Sequence, residues 1–259
     1  VKIGVYIAGW KCPKMAQECM RSLSAQTFKD WKAIVWVDGA DVETFNAIGQ
    51  TSDIDGTIFL CESRQHSVAL KVAAIEKLIE DGCEILVGLD LDDALDSNAL
   101  QIIHDAHRLG AWATYGNWRN QTGMVSTEFK PWTPERFERI RELGWFTTAP
   151  QSFRAALWPH IPRSFFEWDD GSGLYPTGFD GSLFYPVVDL CGPDRVASID
   201  ATIYHYNRNR PESVLQAWTR EHRRKVFAEQ RGKPRLDRLE RLEPLLAGAA
   251  TGRKEQAWT

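Results

Sequence analysis

The first 93 residues of the chain switch repeatedly between short apolar runs and longer segments with helical spacing, and that alternation leaves few folds open. Apolar runs at residues 2 to 8, 33 to 37, 57 to 61 and 84 to 89 have the length of strands. Between them, residues 13 to 25 place Met15, Cys19, Met20 and Leu23 on one stripe, and residues 41 to 48 carry Val42, Phe45 and Ile48. Residues 67 to 80 carry Val68, Val72, Ile75 and Ile79. Each set is spaced for one buried helix face. Pro13 suits the first position of a helix, and Gly82 suits a stop. Strands and helices in strict alternation predict parallel βαβ units, hence an α/β domain with a Rossmann-like sheet.

The fourth run points to chemistry. Glu84-Ile85-Leu86-Val87-Gly88-Leu89 fits a central strand covered on both faces, and it stops at Asp90-Leu91-Asp92-Asp93. These carboxylates then lie at the carboxyl edge of the sheet, where ligands bind in open α/β folds. Strand alternation predicts Asp90 and Asp92 on the same side. Carboxylates held that close repel unless one is protonated or a divalent ion sits between them. Oxygen-only ligands favour Mg2+ or Mn2+, often shared with substrate phosphates. The competing reading is an acidic strand-to-helix turn, with Asp93 or Asp96 capping a helix over residues 97 to 109.

At 259 residues the chain has room for a full-sized core, and no low-complexity linker or internal repeat divides it. It has no apolar run of membrane-spanning length and no signal-peptide pattern at its start, so no membrane span and a cytoplasmic location are expected. Five cysteines without C-x-x-C spacing read as reduced thiols, and zinc is not expected. The net charge of −4 hides an asymmetry: from residue 207 onward 13 Lys/Arg stand against 7 Asp/Glu, and the remainder carries 18 against 28. The basic tail, with Arg220, Arg223, Arg224, Lys225, Arg231, Lys233, Arg235, Arg238 and Arg241, reads as a solvated helix face or as a surface for a polyanion.

After residue 110 the pattern is less regular and more aromatic. Trp112, Trp118, Trp132, Trp145, Trp158 and Trp168 are expected mostly in the core, with some free to shape a substrate pocket. Residues 166 to 180 combine three glycines and three aspartates in an expected surface loop, a candidate mobile lid, that feeds a helix.

Four segments in order resemble the nucleotide-sugar-dependent glycosyltransferases of family 2. Val5-Tyr6-Ile7-Ala8-Gly9-Trp10, followed by Ser22-Leu23-Ser24-Ala25-Gln26-Thr27-Phe28, is similar to the opening strand and "SLLAQTY" helix end of that family. The run from Asp30 through Val37-Asp38-Gly39-Ala40-Asp41 is similar to its second strand and acidic ending. Arg64 to Ile75 matches a third segment in length and apolar pattern, and Leu89-Asp90-Leu91-Asp92-Asp93 looks like its D-x-D-D signature. More loosely, the stretch from Phe179-Asp180 to Cys191-Gly192 is similar to a helix that opens with a Glu-Asp pair, Phe179 standing where the glutamate would be. Ile203-Tyr204-His205-Tyr206-Asn207-Arg208 looks like the aromatic-basic strand that follows.

The resemblance implies a GT-A type Rossmann-like mixed sheet flanked by helices, a single domain with a basic helical C-terminal tail. Residues 1 to 206 would be the catalytic domain, with 1 to 95 its nucleotide-sugar-binding half, 96 to 206 its acceptor-binding half, and 207 to 259 the extension. It implies an enzyme that moves a single sugar from a nucleotide-sugar, with a UDP-sugar favoured, to an acceptor hydroxyl, with Mn2+ or Mg2+ as cofactor. Asp92 would bind the metal, Asp90 the donor ribose or the metal's surroundings, and Asp93 would support them; His205 is a candidate further ligand. Ala8 and Trp10 would lie near the base, Asp38 would accept from a base N–H such as that of uracil, and Arg64 and Lys71 would approach the phosphates. Asp180 would be the base of an inverting reaction, with Asp169 and Asp170 as competitors and an N-cap as its bland alternative. Retention stays open. Rival readings are a nucleotidyltransferase, for which Gly9-Trp10-Lys11-Cys12-Pro13 is a poor phosphate loop, an aspartyl phosphatase, and a noncatalytic nucleotide-sugar-binding protein. The acceptor is unspecified by any motif; a saccharide or a polyanion such as DNA with hydroxylated bases is compatible with the tail.

Overall fold

The computed structural model describes residues 1–51, 54–207 and 219–243. β1 (Ile3–Gly9), β2 (Trp31–Val37), β3 (Gly56–Leu60) and β4 (Ile85–Asp90) are parallel and sit within a few residues of their expected places. β1 and β4 are neighbours in the middle of the sheet and covered on both faces, which is why their sequences are continuous apolar runs. The crossover helices are α1 (Pro13–Ser24), α2 (Val42–Gly49) and α3 (His66–Glu80). α1 buries Ala16, Cys19, Met20 and Leu23, and α3 buries the stripe containing Val68, Val72, Ile75 and Ile79.

α2 departs from expectation. Val42 is 53% exposed, and the buried positions are Thr44, Ala47 and Ile48. The Asp41 side chain caps the helix by accepting from the Thr44 N–H at 3.2 Å, while Thr44 Oγ1 accepts from the Cys12 N–H at 3.0 Å. Those two bonds fix the rotation of the helix and turn Val42 to solvent.

Beyond β4 the chain adds β5 (Ala94–Leu95), α4 (Ala99–Arg108), β6 (Ala113–Asn120), α5 (Pro134–Glu138), β7 (Ser152–Arg154), α6 (Phe179–Cys191), β8 (Val196–Tyr206) and α7 (Arg220–Gly232). The sheet has the order β3-β2-β1-β4-β7-β6-β8-β5. β7 is antiparallel to both β4 and β6, β6 is parallel to β8, and β5 is antiparallel to β8, so the sheet is mixed. The strand expected at residues 203 to 208 begins earlier, at Val196, and Arg208 lies outside the described residues. α4 is preceded by Asn98; neither Asp93 nor Asp96 caps it, because both carboxylates are engaged elsewhere.

Two hydrophobic layers flank the sheet. One gathers Val72, Ile75, Leu86, Phe153, Trp158 and Phe184; the other gathers Ile7, Met20, Leu23, Val87, Leu89 and Ile103. Of the tryptophans, Trp118 and Trp158 are buried, and Trp112, Trp132, Trp145 and Trp168 pack partly buried against the first layer.

The described part of the C-terminal extension does not stand apart from the body. α7 buries Val226 and Gln230, and Leu236, Leu239 and Leu242 pack on the same core as α6. Many of its cations are taken up by the acidic body: Arg235 lies 3.0 Å from Asp189, which Arg141 also contacts, Lys233 reaches Asp169, and Arg238 lies 3.2 Å from Asp194. A solvated basic face survives only in part, at Arg220, Arg224, Lys225 and Arg231. Among the described residues no helix is long and apolar enough to cross a membrane.

Candidate active site

Because β1, β2, β3 and β4 are parallel, their carboxyl ends open on one edge, and the acidic segment follows directly from β4. Strand alternation does not continue past Asp90. The Asp93 N–H donates to the Asp90 carbonyl at 3.0 Å, closing a tight turn that buries Leu91 and Asp93 and leaves Asp92 half-buried. A side chain on Gly9 would overlap Leu91, so glycine lets β1 meet this turn.

The end of β8 holds the turn in place. Tyr204 donates to Asp93 Oδ2 at 2.6 Å and accepts from the Asp90 N–H at 3.3 Å. The Asn207 N–H donates to Asp93 Oδ1 at 2.7 Å, and its side-chain amide reaches the Asp92 carbonyl. Burial, then Asp92 and Asp90, push the Asp93 carboxyl well above the usual range against those hydrogen bonds. Burial first and the neighbouring acids after it likewise raise the phenols of Tyr6, Tyr204 and Tyr206. The region therefore carries an excess of negative potential.

Lys71 is the cation that α3 delivers into this field. Its side chain is 7% exposed, and Nζ lies 2.6 Å from Oδ1 of the half-buried Asp90. Burial works against the ammonium, but Asp90, Asp180 and Asp92 outweigh it, so Lys71 is held protonated. It is not a surface charge. Lys71 lies on the buried stripe of α3 with Val68 and Ile75, three and four residues away, and that placement was the sequence signal for it.

Lys71 and Asp90 line a recess together with Tyr6, Gly88, Gln151 and Asp180. It holds about 310 Å3 of empty space, counting the part open to solvent. Gly88 faces Tyr6 across the β1–β4 ladder, and a Cβ there would lie 2.7 Å from the phenol oxygen. Tyr6 and Gly88 are site residues that the sequence reading missed; a lone glycine in an apolar strand was the available signal for a close approach.

Asp180 sits in the first turn of α6. The residue before that helix is Gly178, at φ +78°, and no side chain caps the helix, so Asp180 is not an N-cap. It is exposed at the mouth of the recess, yet the surrounding protein still raises its carboxyl pKa; Lys71 lowers it and Asp90 raises it further. Its competitors lie off the recess. Asp169 pairs with Lys233, and Asp170 accepts from the Ser172 N–H at 2.9 Å, its carboxyl held low by hydrogen bonding to Ser172.

Three of the residues expected near the nucleotide, Trp10, Asp38 and Arg64, lie together beyond the ends of β1 and β2. Arg64 stacks 3.7 Å over the Trp10 ring and lies 3.3 Å from Asp38. Asp38 is 3% exposed and accepts the Gln65 N–H at 2.7 Å and the His66 N–H at 3.1 Å. Its carboxylate braces the loop before α3, where His66 adopts φ +67°, a strained value that such bonds can sustain. His205, expected beside the acidic turn as a ligand, instead sets Nε2 2.6 Å from Asp96 Oδ1 and 2.9 Å from Arg119. Among the described residues no three His, Cys, Asp or Glu side chains converge as a ready-made metal cage.

No protein-family model matches the chain, and no curated protein matches it either. Solved structures do. The crystal structure of S. aureus TarS 1-349 in complex with UDP-GlcNAc superposes with a TM-score of 0.64 at 15% identity, over 87% of this chain and 65% of that one. Glucosyl-3-phosphoglycerate synthase from Mycobacterium tuberculosis, in complex with Mg2+ and UDP, gives 0.57 at 17% identity over 90% of this chain and 80% of that one. The mannosyltransferase PcManGT from Pyrobaculum calidifontis, in complex with GDP-Man and Mn2+, gives 0.56 at 14% identity over 88% and 62%. The chain thus spans just under two thirds of TarS 1-349. At these identities the likeness is one of fold, and it defines the fold as GT-A: a mixed α/β sheet flanked by helices.

Proposed function

We propose that the protein is a divalent-metal-dependent glycosyltransferase that moves one sugar from a nucleotide-sugar, a UDP-sugar in the first instance, to an acceptor hydroxyl with inversion. The observation that carries this reading is the pairing of Lys71 with Asp90 in a recess shared with Asp180, directly beneath the acidic turn of a GT-A sheet. Solved neighbours with UDP and Mg2+, or GDP-Man and Mn2+, support the substrate class.

The acidic turn fits a metal by its chemistry. Its carboxylates outnumber the single buried lysine among them, and Asp92 and Asp90 add to burial in raising the Asp93 carboxyl and the Tyr206 phenol. Asp92 would hold the ion, with Asp90 beside it and Asp93 anchoring the turn through Tyr204 and Asn207. Few protein ligands are required, because Mg2+ keeps waters and shares substrate phosphates. His205 is left out of this set. The bound ion would neutralise the charge that gathers on the departing diphosphate.

The chain's own groups do the rest. Ala8 and Trp10 would border the base and Arg64, stacked on Trp10, would supply a cation toward the phosphates, while Asp38 keeps that loop in shape. As the acceptor oxygen attacks the anomeric carbon and the bond to the diphosphate breaks, Asp180 takes the acceptor proton. A carboxyl pKa raised by its surroundings makes it a better base for that transfer. Lys71 opposes the rise, keeping Asp180 ionised and ready.

The polyanionic acceptor, hydroxylated-base DNA included, draws less support, since Lys233, Arg235 and Arg238 are spent within the fold. A basic face at Arg220 and Arg224 keeps it testable by the salt dependence of acceptor binding. No disulfide joins the five cysteines, all of which are buried, and that fits the cytoplasm. Asp180→Asn tests the mechanism: transfer falls about a hundredfold or more with donor affinity kept. Unchanged transfer removes Asp180 from it.

A further inference from the structure

α7 belongs to the tail, far along the chain from the recess, yet it is built around the start of the helix that carries Asp180. Gln230 is 2% exposed and donates from Nε2 to the Gly178 carbonyl at 2.8 Å and toward Ser182 Oγ at 2.9 Å, bracketing Asp180 on both sides. Two glycines make room for it. A Cβ on Gly178 would lie 2.9 Å from both Gln230 Nε2 and Val226 Cγ1, and one on Gly181 would overlap Gln230 Oε1. Gly178 also needs its left-handed φ of +78°, which favours glycine.

Neighbouring side chains extend the brace to the loop before α6. Glu229 accepts from the Asp169 N–H at 2.5 Å and from the Tyr175 hydroxyl at 3.2 Å. Lys233 donates to the Glu167 carbonyl at 2.9 Å. The segment expected as a mobile lid is therefore tied at several points to α7.

We infer that Gln230 is a positioning residue that fixes the first turn of α6, and with it Asp180, for proton abstraction. The inference rests on the proposed role of Asp180 and gives the C-terminal segment a task other than binding a polyanion. It acts at a distance: Gln230 touches the backbone around Asp180 and not the reacting atoms. A shift of the base by a fraction of an ångström is enough to slow the reaction, and a misplacement of about 1 Å can cost on the order of a hundredfold.

The experiment uses the full chain with Gln230→Met, which fills the space without the hydrogen bonds, and Gly181→Ala, which displaces Gln230 from the opposite side. In each, turnover should fall about tenfold or more with donor affinity within about twofold of wild type. Amide hydrogen exchange at residues 179 to 182 should quicken in both variants while β1 and β4 stay protected. The decisive comparison repeats Gln230→Met in an Asp180→Asn background, where it should lower the residual rate no further. Equal losses in both backgrounds would mean a merely structural role and overturn the inference. So would unchanged exchange, or unchanged turnover in Gln230→Met when Asp180→Asn alone is slow. An Asp180→Asn protein as fast as wild type would overturn the mechanism itself and leave Gln230 with no base to position, and it is told apart by that single variant.

Discussion

The two acids at the centre of the proposed site are held in opposite ways. Asp93 and its turn are fixed by hydrogen bonds from Tyr204 near the end of β8 and from the Asn207 N–H just after it. Asp180 stands on a helix whose start is shaped by glycines, by Lys71 across the recess and by a segment some fifty residues later in the chain. A turn tied into a ladder suits an ion that must meet fixed geometry, whereas a base needs a tuned charge more than a cage. The first depends on direct hydrogen bonds to the carboxylate, the second on charge and packing around the helix start, so the two should fail differently.

The largest effect should come from Asp92→Ala. Its half-buried side chain would hold the ion, so metal-dependent turnover should fall by several kcal/mol of activation, on the order of a thousandfold. If activity survives with the metal requirement intact, the acidic turn is not the metal site.

Lys71→Met sharpens the other side. It strands Asp90 and removes the charge that lowers Asp180, so stability in urea unfolding should fall, by less than for a fully buried pair because Asp90 is 42% exposed. With Lys71 gone the Asp180 pKa rises, and the acidic limb of the pH–rate profile should move to higher pH. A limb that stays put would show that Lys71 does not tune the base.

His107 probes the mixed half of the sheet. It is buried between α4, β6 and β7, its Nδ1–H donating to the Ala111 carbonyl at 3.0 Å and its Nε2 accepting from Ser152 Oγ at 2.7 Å. Burial first, with Arg154 adding to it, lowers its pKa from 6.5 to about 3. The folded state thus binds fewer protons than the unfolded one between those values. Stability should be full above pH 6.5 and fall as pH drops through that window, by about 2 kcal/mol from pH 6.5 to 5. Replacing His107 by Asn should flatten that slope; an unchanged slope would assign it to other groups.

Tyr204→Phe should have the smallest effect on turnover, with about 1 to 2 kcal/mol lost for an orphaned Asp93 oxygen and metal affinity down about tenfold. A larger loss of turnover than of metal affinity would argue that Tyr204 acts on more than the turn.

How far the sequence could be read follows the same division. β1 and β4 and the helices α1 and α3 were legible because those strands are buried on both faces and those helices each have a single apolar stripe. The acidic turn was legible as a cluster. Its geometry was not, since alternation stops where the Asp93 N–H closes onto the Asp90 carbonyl. Lys71 shows what spacing alone conceals: a lysine on a buried stripe is explained only when Asp90 and Asp180 are found facing it. In the second half, strands β6 and β7 and the return of α7 onto α6 depend on contacts across many residues, among them Gln230 with Gly178 and Arg141 and Arg235 with Asp189. No local period encodes such pairings. His205 illustrates the same limit: an aromatic-basic strand suggested a ligand, and its actual partners, Asp96 and Arg119, come from two other elements.

The most direct test of the central claim is release of nucleoside diphosphate from a panel of nucleotide-sugars, with Mn2+, with Mg2+ and with chelator, for the wild type and Asp92→Ala. Metal-dependent release from a uridine-linked sugar, abolished by chelator and by Asp92→Ala, is the expected result. Absence of release together with absence of calorimetric binding of every nucleotide-sugar in the presence of metal would contradict the glycosyltransferase reading.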